Sequence, residues 1–209
     1  MTTTKKLAIA VVALSLALVC AIGGTLAFLV AESKTVTNTF TYGEIKIELW
    51  ENTVDDEGQL TETKNYDGIE YVKIVPGDVV NKNPTVTVKA GSEECYVYVK
   101  VTNTLVVDSV VTNMSVGEDG DWQLVGSADT VALYRYKTTV KDVADFDIVV
   151  FDKVTFPGDL TNDEIDELKA DGNKIEIQAY AHQADNTGVD TADAAAIKWA
   201  EVTAVSAAN

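Results

Sequence analysis

Cys95-Tyr-Val-Tyr-Val-Lys-Val101 and Lys174-Ile-Glu-Ile-Gln-Ala-Tyr180 decide the class of this chain. In both stretches, side chains of like character recur at every second position. Cys95, Val97, Val99 and Val101 share one face of the first, and Tyr96, Tyr98 and Lys100 share the other. Successive side chains of a strand point to opposite faces, so period two marks a strand with one face on a core. Glu44-Ile-Lys-Ile-Glu-Leu49 and Thr85-Val-Thr-Val-Lys89 read the same way, and Val131–Tyr136 is a further strand. Phe146–Phe156 reads as one more. Its Ile148-Val-Val-Phe151 is apolar at consecutive positions, the pattern of a strand covered on both faces.

Turn residues separate these runs. Pro76-Gly77-Asp78 follows Tyr71-Val-Lys-Ile-Val75, Gly117-Glu-Asp-Gly-Asp121 precedes Trp122, and Pro157-Gly158-Asp159 ends the Phe146 run. Short strands with such punctuation predict an all-β fold with short helices, a jelly-roll-like antiparallel β-sandwich. Thr161–Ala170 is the first predicted helix, with a capping residue, acids in its first turn and Gly172 just beyond. Asp190–Val202 is the second, with Ala194, Ile197, Trp199 and Val202 as expected buried contacts and Trp199 sealing one end of the sandwich. Glu51–Asn65 is polar and acidic and reads as a mobile loop.

The N-terminus reads differently. Lys5 and Lys6 precede Leu7–Ile22, which is apolar almost without a break, and Gly23-Gly24 interrupts that run. Thr25 and Ala27 then supply small residues at positions −3 and −1 of a cleavage site, with Phe28 as the new N-terminus. This is the pattern of a secretory signal peptide. The apolar run is short for a spanning helix, which needs about 20 residues; an uncleaved signal is the one route to the membrane we expect. Val19 precedes Cys20 where a lipobox needs a small residue, so lipidation is not expected. The expected organisation is a signal peptide over 1–27, an N-terminal arm over 28–43 and a jelly-roll-like domain over 44–209.

The chain carries 16 basic and 33 acidic residues, a formal net charge of −17. Loss of 1–27 removes Lys5 and Lys6 and no acid, which takes the charge to about −19. So acidic a surface argues against nucleic acid and anionic membranes as partners. It suits a secreted protein of the extracellular matrix or cell surface. After cleavage Cys95 is the only cysteine; its place on an apolar face makes it a buried small hydrophobe.

No catalytic constellation is visible, and we expect neither enzymatic activity nor a cofactor. A zinc-protease helix needs two histidines at i and i+4 around a glutamate, and His182 is the only histidine. There is no Gly-x-Ser-x-Gly elbow for serine catalysis. Asp185, Asp190 and Asp193 are weak calcium candidates, as is Glu118-Asp119-Gly120-Asp121. Neither group matches the EF-hand spacing, and solvated turns with a helix cap at Asp190 are the preferred reading. Tyr96, Tyr98, Tyr134, Tyr136 and Tyr180 are candidates for a sugar- or protein-binding sheet face, or for cross-strand pairs that stabilise the sheet.

Gly23-Gly-Thr-Leu-Ala-Phe28, followed by Thr37-Asn-Thr-Phe-Thr-Tyr-Gly-Glu-Ile-Lys-Ile-Glu-Leu49, resembles the start of the TasA/camelysin family. Val75-Pro-Gly-Asp78 leading into Pro84–Val88 and Cys95–Asn103 resembles its Pro-Gly-Asp turn and following strands, and Asn173–Asp185 resembles its last strand. The resemblance implies a jelly-roll fold, export through a SipW-type signal peptidase of Gram-positive bacteria, and a biofilm-matrix role. It also implies fibres built by donor-strand exchange. The peptidase activity attached to camelysin is not supported by a chain with one histidine.

The arm itself fits that scheme. Phe28–Phe40 contains no proline and is rich in β-prone residues; Val36, Asn38 and Phe40 share one parity and Thr35, Thr37 and Thr39 the other. Such a segment can add to the open sheet edge of a neighbour. The expected function is therefore a secreted structural protein that forms matrix fibres or is accessory to them. The alternative is a monomeric extracellular module binding glycan or host protein, and the third reading is a hydrolase.

Overall fold

The computed structural model describes residues 43–71, 74–105, 111–141, 144–168 and 174–205. Thr25, Ala27 and Phe28 of the expected cleavage site, and Val36, Asn38 and Phe40 of the arm, lie outside the described residues. The described residues are mostly β-strand, with two short helices, and every strand pair is antiparallel.

In the first sheet β1 (Ile47–Val54) pairs with β2 (Leu60–Asn65) and β4 (Thr85–Val88), and β4 pairs with β9 (Phe146–Val149). A small sheet joins β3 (Val79–Asn81), β10 (Lys153–Thr155) and β6 (Val111–Thr112). The third sheet runs in the order β11 (Ile175–Gln183), β5 (Cys95–Asn103), β8 (Val131–Tyr136), β7 (Trp122–Ala128) and β12 (Thr203–Ala204). The two stretches quoted first in the sequence are thus neighbours: β5 and β11 pair in unbroken register from Cys95↔Gln183 to Asn103↔Ile175.

The alternation in those strands sorts their side chains between two cores. Cys95, Val97 and Val99 of β5 meet Val86 and Val88 of β4, together with Trp122, Ile148 and Val154. Each wholly buried valine stabilises the fold by about 1.5–3 kcal/mol in apolar area removed from water. The opposite face of β5 carries Tyr98, which with Leu133 and Val125 packs against Ala192, Ala196 and Ala200 of α2 (Val189–Ala200). Alanines four apart form one flat stripe, so α2 lies close to the sheet. Gly126 permits the adjoining chain to come close as well: a Cβ there would stand 2.7 Å from Val202 Cγ2 and 2.9 Å from the Thr203 carbonyl oxygen.

Several expectations need correction. Glu51–Asn65 is not a loop but most of a hairpin, with β1 and β2 paired through Glu51↔Asn65 and Val54↔Leu60. The Phe146–Phe156 run is two strands in different sheets. Val150 and Phe151 are buried where the chain crosses between them, while Val149 is half exposed. The consecutive apolar residues therefore mark a crossing rather than a doubly covered strand. Ala194 is exposed, and α2 begins after Gly188 with no side-chain cap, so Asp190 sits in the first turn instead of capping it. Trp199 stacks on Tyr180 at 5.1 Å, on the face of β11 that carries α2, and does not seal an end of the fold. The other helix, α1 (Asn162–Leu168), has the expected cap: Thr161 N–H donates to Glu164 Oε2 at 2.7 Å, and Glu164 N–H returns to Thr161 Oγ1 at 3.3 Å.

Candidate functional site

Among the described residues, β11 is an edge strand of its sheet, with β5 on one side only. At its start Thr104 N–H donates to the Lys174 carbonyl at 3.0 Å; just past its end Ala184 N–H donates to the Glu94 carbonyl at 2.8 Å. Even-numbered residues therefore direct their peptide groups at β5. In an antiparallel ladder the residues between them direct theirs the other way. The N–H and C=O groups of Ile175, Ile177, Ala179, Ala181 and Gln183 thus point off the sheet, and no described strand pairs with them.

The core below this edge is incomplete. Ile175, Ile177, Ala179 and Ala181 face the main core but are only partly buried, whereas Val97 and Val99 one strand inward are 0% exposed. Across the seam, Lys89 N–H donates to the Lys46 carbonyl at 2.9 Å, so Lys46, Glu48 and Trp50 face β4. The peptide groups of Ile47 and Leu49 face away from it. β1 and β11 lie beside each other, yet no backbone ladder joins them. Leu49, Tyr66, Pro84, Ile175 and Ile177 line a groove of about 380 Å³ at this place. A neighbouring groove of about 400 Å³ shares Lys82, Lys174 and Ile175 with it and adds Val80, Val154 and Phe156.

One buried ion pair anchors the groove. Lys82 Nζ lies 2.5 Å from Glu51 Oε2, with side chains 13% and 7% exposed. Tyr71 donates its hydroxyl to the Asn81 carbonyl at 2.7 Å. Burial, and then the charge of Glu51, hold the Tyr71 proton well beyond the usual phenol range.

The other predicted residues fall elsewhere. Asp185 is in the turn after β11, Asp190 is in the first turn of α2, and Asp193 is already engaged. Its Oδ1 accepts the Tyr98 hydroxyl at 2.8 Å and its Oδ2 the Arg135 guanidinium at 2.5 Å. Gly117–Asp121 forms a turn whose Gly117 and Glu118 carbonyls accept hydrogen bonds from Lys137 Nζ. Among the described residues no group of three or more His, Cys, Asp or Glu side chains could hold a metal ion. His182 lies within β11 opposite Tyr96. Cys95 is fully buried; burial, and then Glu94, push its thiol up to about 11. Among the described residues no helix is long and apolar enough to cross a membrane.

The five tyrosines do not form one face. Tyr134 and Tyr136 turn into the main core, Tyr136 with its edge against Trp122 at 5.4 Å. Tyr98 is wholly buried beneath α2, and Tyr180, its cross-strand partner, is covered by Trp199. The Tyr98–Asp193–Arg135 link was not anticipated. Its one signal is compositional: Arg135 is the sole arginine of a strongly acidic chain, set between two tyrosines of an alternating strand.

No protein-family model, curated protein or solved structure matches this chain.

Proposed function

We propose that the protein is a secreted structural subunit of a bacterial biofilm or cell-surface matrix, and that it joins fibres by donor-strand exchange or serves as accessory to them. The supporting observation is the outer edge of β11, which pairs with no strand among the described residues, above core-facing side chains that are only partly buried. Exposed edges of this length are templates for pairing, and folds that avoid association blunt them with proline, bulges or inward charges. β11 has none of these: its register with β5 is unbroken and its core-facing side chains are apolar.

In this reading the sandwich is a jelly roll short of one strand. A SipW-type peptidase cleaves between Ala27 and Phe28 and frees the arm. The arm of a neighbouring subunit then pairs with β11, and Val36 and Phe40 supply the apolar side chains that the seam lacks. Asn38 shares their parity.

Electron microscopy of protein beginning at Phe28, beside protein lacking residues 28–40, tests this. Fibres are expected from the first and not from the second. If both remain monomeric over a range of pH and concentration, the fibre reading fails.

A further inference from the structure

We propose that Asp67–Gly68 is a site of spontaneous covalent modification, at which the aspartate rearranges to isoaspartate through a succinimide ring. Ring closure needs an aspartate carboxyl and a following amide nitrogen that are both unengaged. It also needs room around that nitrogen and a peptide free to turn between the two groups. The sequence holds three Asp-Gly pairs, Asp67–Gly68, Asp119–Gly120 and Asp171–Gly172. The last lies outside the described residues.

Asp67 and Gly68 lie exposed in the bend that follows β2. Among the described residues, neither the Asp67 carboxylate nor the Gly68 N–H has a hydrogen-bond partner. Gly68 has φ +86°, and a Cβ there would meet nothing within 4 Å, so the space about the nitrogen is open. Asn65 holds the bend without locking the reacting peptide. Its Oδ1 accepts the Asp67 N–H at 3.0 Å, and its Nδ2 donates to the Gly68 carbonyl at 2.7 Å. Those groups belong to the peptides before and after. The peptide between Asp67 and Gly68, which must rotate to bring nitrogen to Cγ, is held by neither.

Asp119–Gly120 is the contrasting case. Gly120 N–H donates to the Gly117 carbonyl at 3.1 Å, and a Cβ on Gly120 would stand 2.5 Å from the Ser115 carbonyl oxygen. Lys137 Nζ fastens the same turn through the Gly117 and Glu118 carbonyls. There the nitrogen must give up a hydrogen bond, and the turn must open, before a ring can close.

The reaction balances with water alone. Gly68 N bonds to Asp67 Cγ and gives up its proton, and a carboxyl oxygen leaves as water. Water then opens the five-membered ring at either carbonyl. Attack at Cγ restores aspartate. Attack at the main-chain carbonyl leaves Gly68 joined through Cγ, with the former main-chain carbon as a free carboxylate and no net change of mass. The chain then gains one methylene between the Asp67 N–H and the Gly68 carbonyl, so Asn65 no longer spans both in their present geometry. Asn65, Tyr66, Asp67 and Gly68 line the groove of about 380 Å³, and its rim is where the carboxylate moves. The modification needs neither the arm nor fibres, and whether fibres form does not bear on it.

Peptide mapping of the protein as its producing cell releases it, aged warm in mildly acidic buffer, tests the proposal. Isoaspartate is read peptide by peptide with a methyltransferase specific for it. In the folded protein it is expected to accumulate about tenfold faster at position 67 than at 119, the population cost of opening one ordinary backbone hydrogen bond. In urea-unfolded protein the two positions are expected to convert at like rates. Asp67→Glu, whose ring would need six members, is expected to abolish the product in its peptide; it replaces a side chain without partners, so the fold is retained. Equal rates at both positions in the folded protein overturn the proposal, as does conversion of position 67 only after unfolding. A preference for position 67 that persists unchanged in urea also overturns it, because the fold would then not be its cause.

Discussion

Asp193 accepts the Tyr98 hydroxyl on one oxygen and the Arg135 guanidinium on the other. In the sequence its spacing from Asp185 and Asp190 offers oxygen ligands to a cation. In the fold those three carboxylates separate, because α2 turns Asp193 down onto the sheet. Arg135 Nη2 also reaches Gln123, but its Nε is buried without a partner. Asp193→Ala therefore leaves a guanidinium whose side chain is 11% exposed with little to balance its charge. We expect a loss of about 3 kcal/mol in chemical denaturation. Tyr98→Phe removes one neutral donor and is expected to cost about 1 kcal/mol, with the double variant less destabilised than the sum. The pH dependence has a definite sign. Burial first, and then Asp193, raise the Tyr98 pKa above its ordinary value. The unfolded chain then loses that proton first, so stability falls as pH climbs past about 10. Tyr98→Phe should flatten this decline, as read from denaturation midpoints at neutral and alkaline pH.

The β1–β2 hairpin shows where element-level reading stops. Its acids and polar residues suggest a solvated loop, yet β1 already carries strand alternation into it, and Asn52, Asn83 and Thr53 supply side-chain links across the hairpin and to the next turn. The turn is set by Asp55, whose carboxylate accepts the N–H groups of Glu57 and Gln59, and by Gly58 at φ +74°. A Cβ at Gly58 meets nothing within 4 Å, so Gly58→Ala is penalised by backbone conformation alone. The expected cost is about 1–2 kcal/mol, read as faster amide exchange across β2 with little change in β5. If β5 loosens equally, the hairpin is not a separate opening unit. Composition hid this element because Glu51–Val54 of β1 and the whole of β2 pair with each other locally and need little apolar surface. The reverse held for Ile148–Phe151, where apolar density concealed a break: a crossing between two sheets is as buried as a strand.

At the scale of the molecule, the alternation of β5 and β11 carried the all-β architecture, since each core-facing residue is named by its parity. What it did not carry is which strand ends at an edge. Lys174–Tyr180 alternates just as an interior strand would; that no described strand pairs with its outer side follows from the order of five strands, most of them distant in sequence. That outer side sits on a chain with a net charge of −17, and self-association must overcome repulsion between like-charged copies. Backbone pairing at β11 is short-range and not screened, whereas the repulsion acts over the Debye length, about 30 Å at 0.01 M salt and about 8 Å at 0.15 M. Added salt should therefore strengthen association through this edge, and sedimentation across that range should show the associated fraction rising. An associated fraction that falls with salt would mean that ion pairs hold the copies together, and the edge of β11 would then not be the contact.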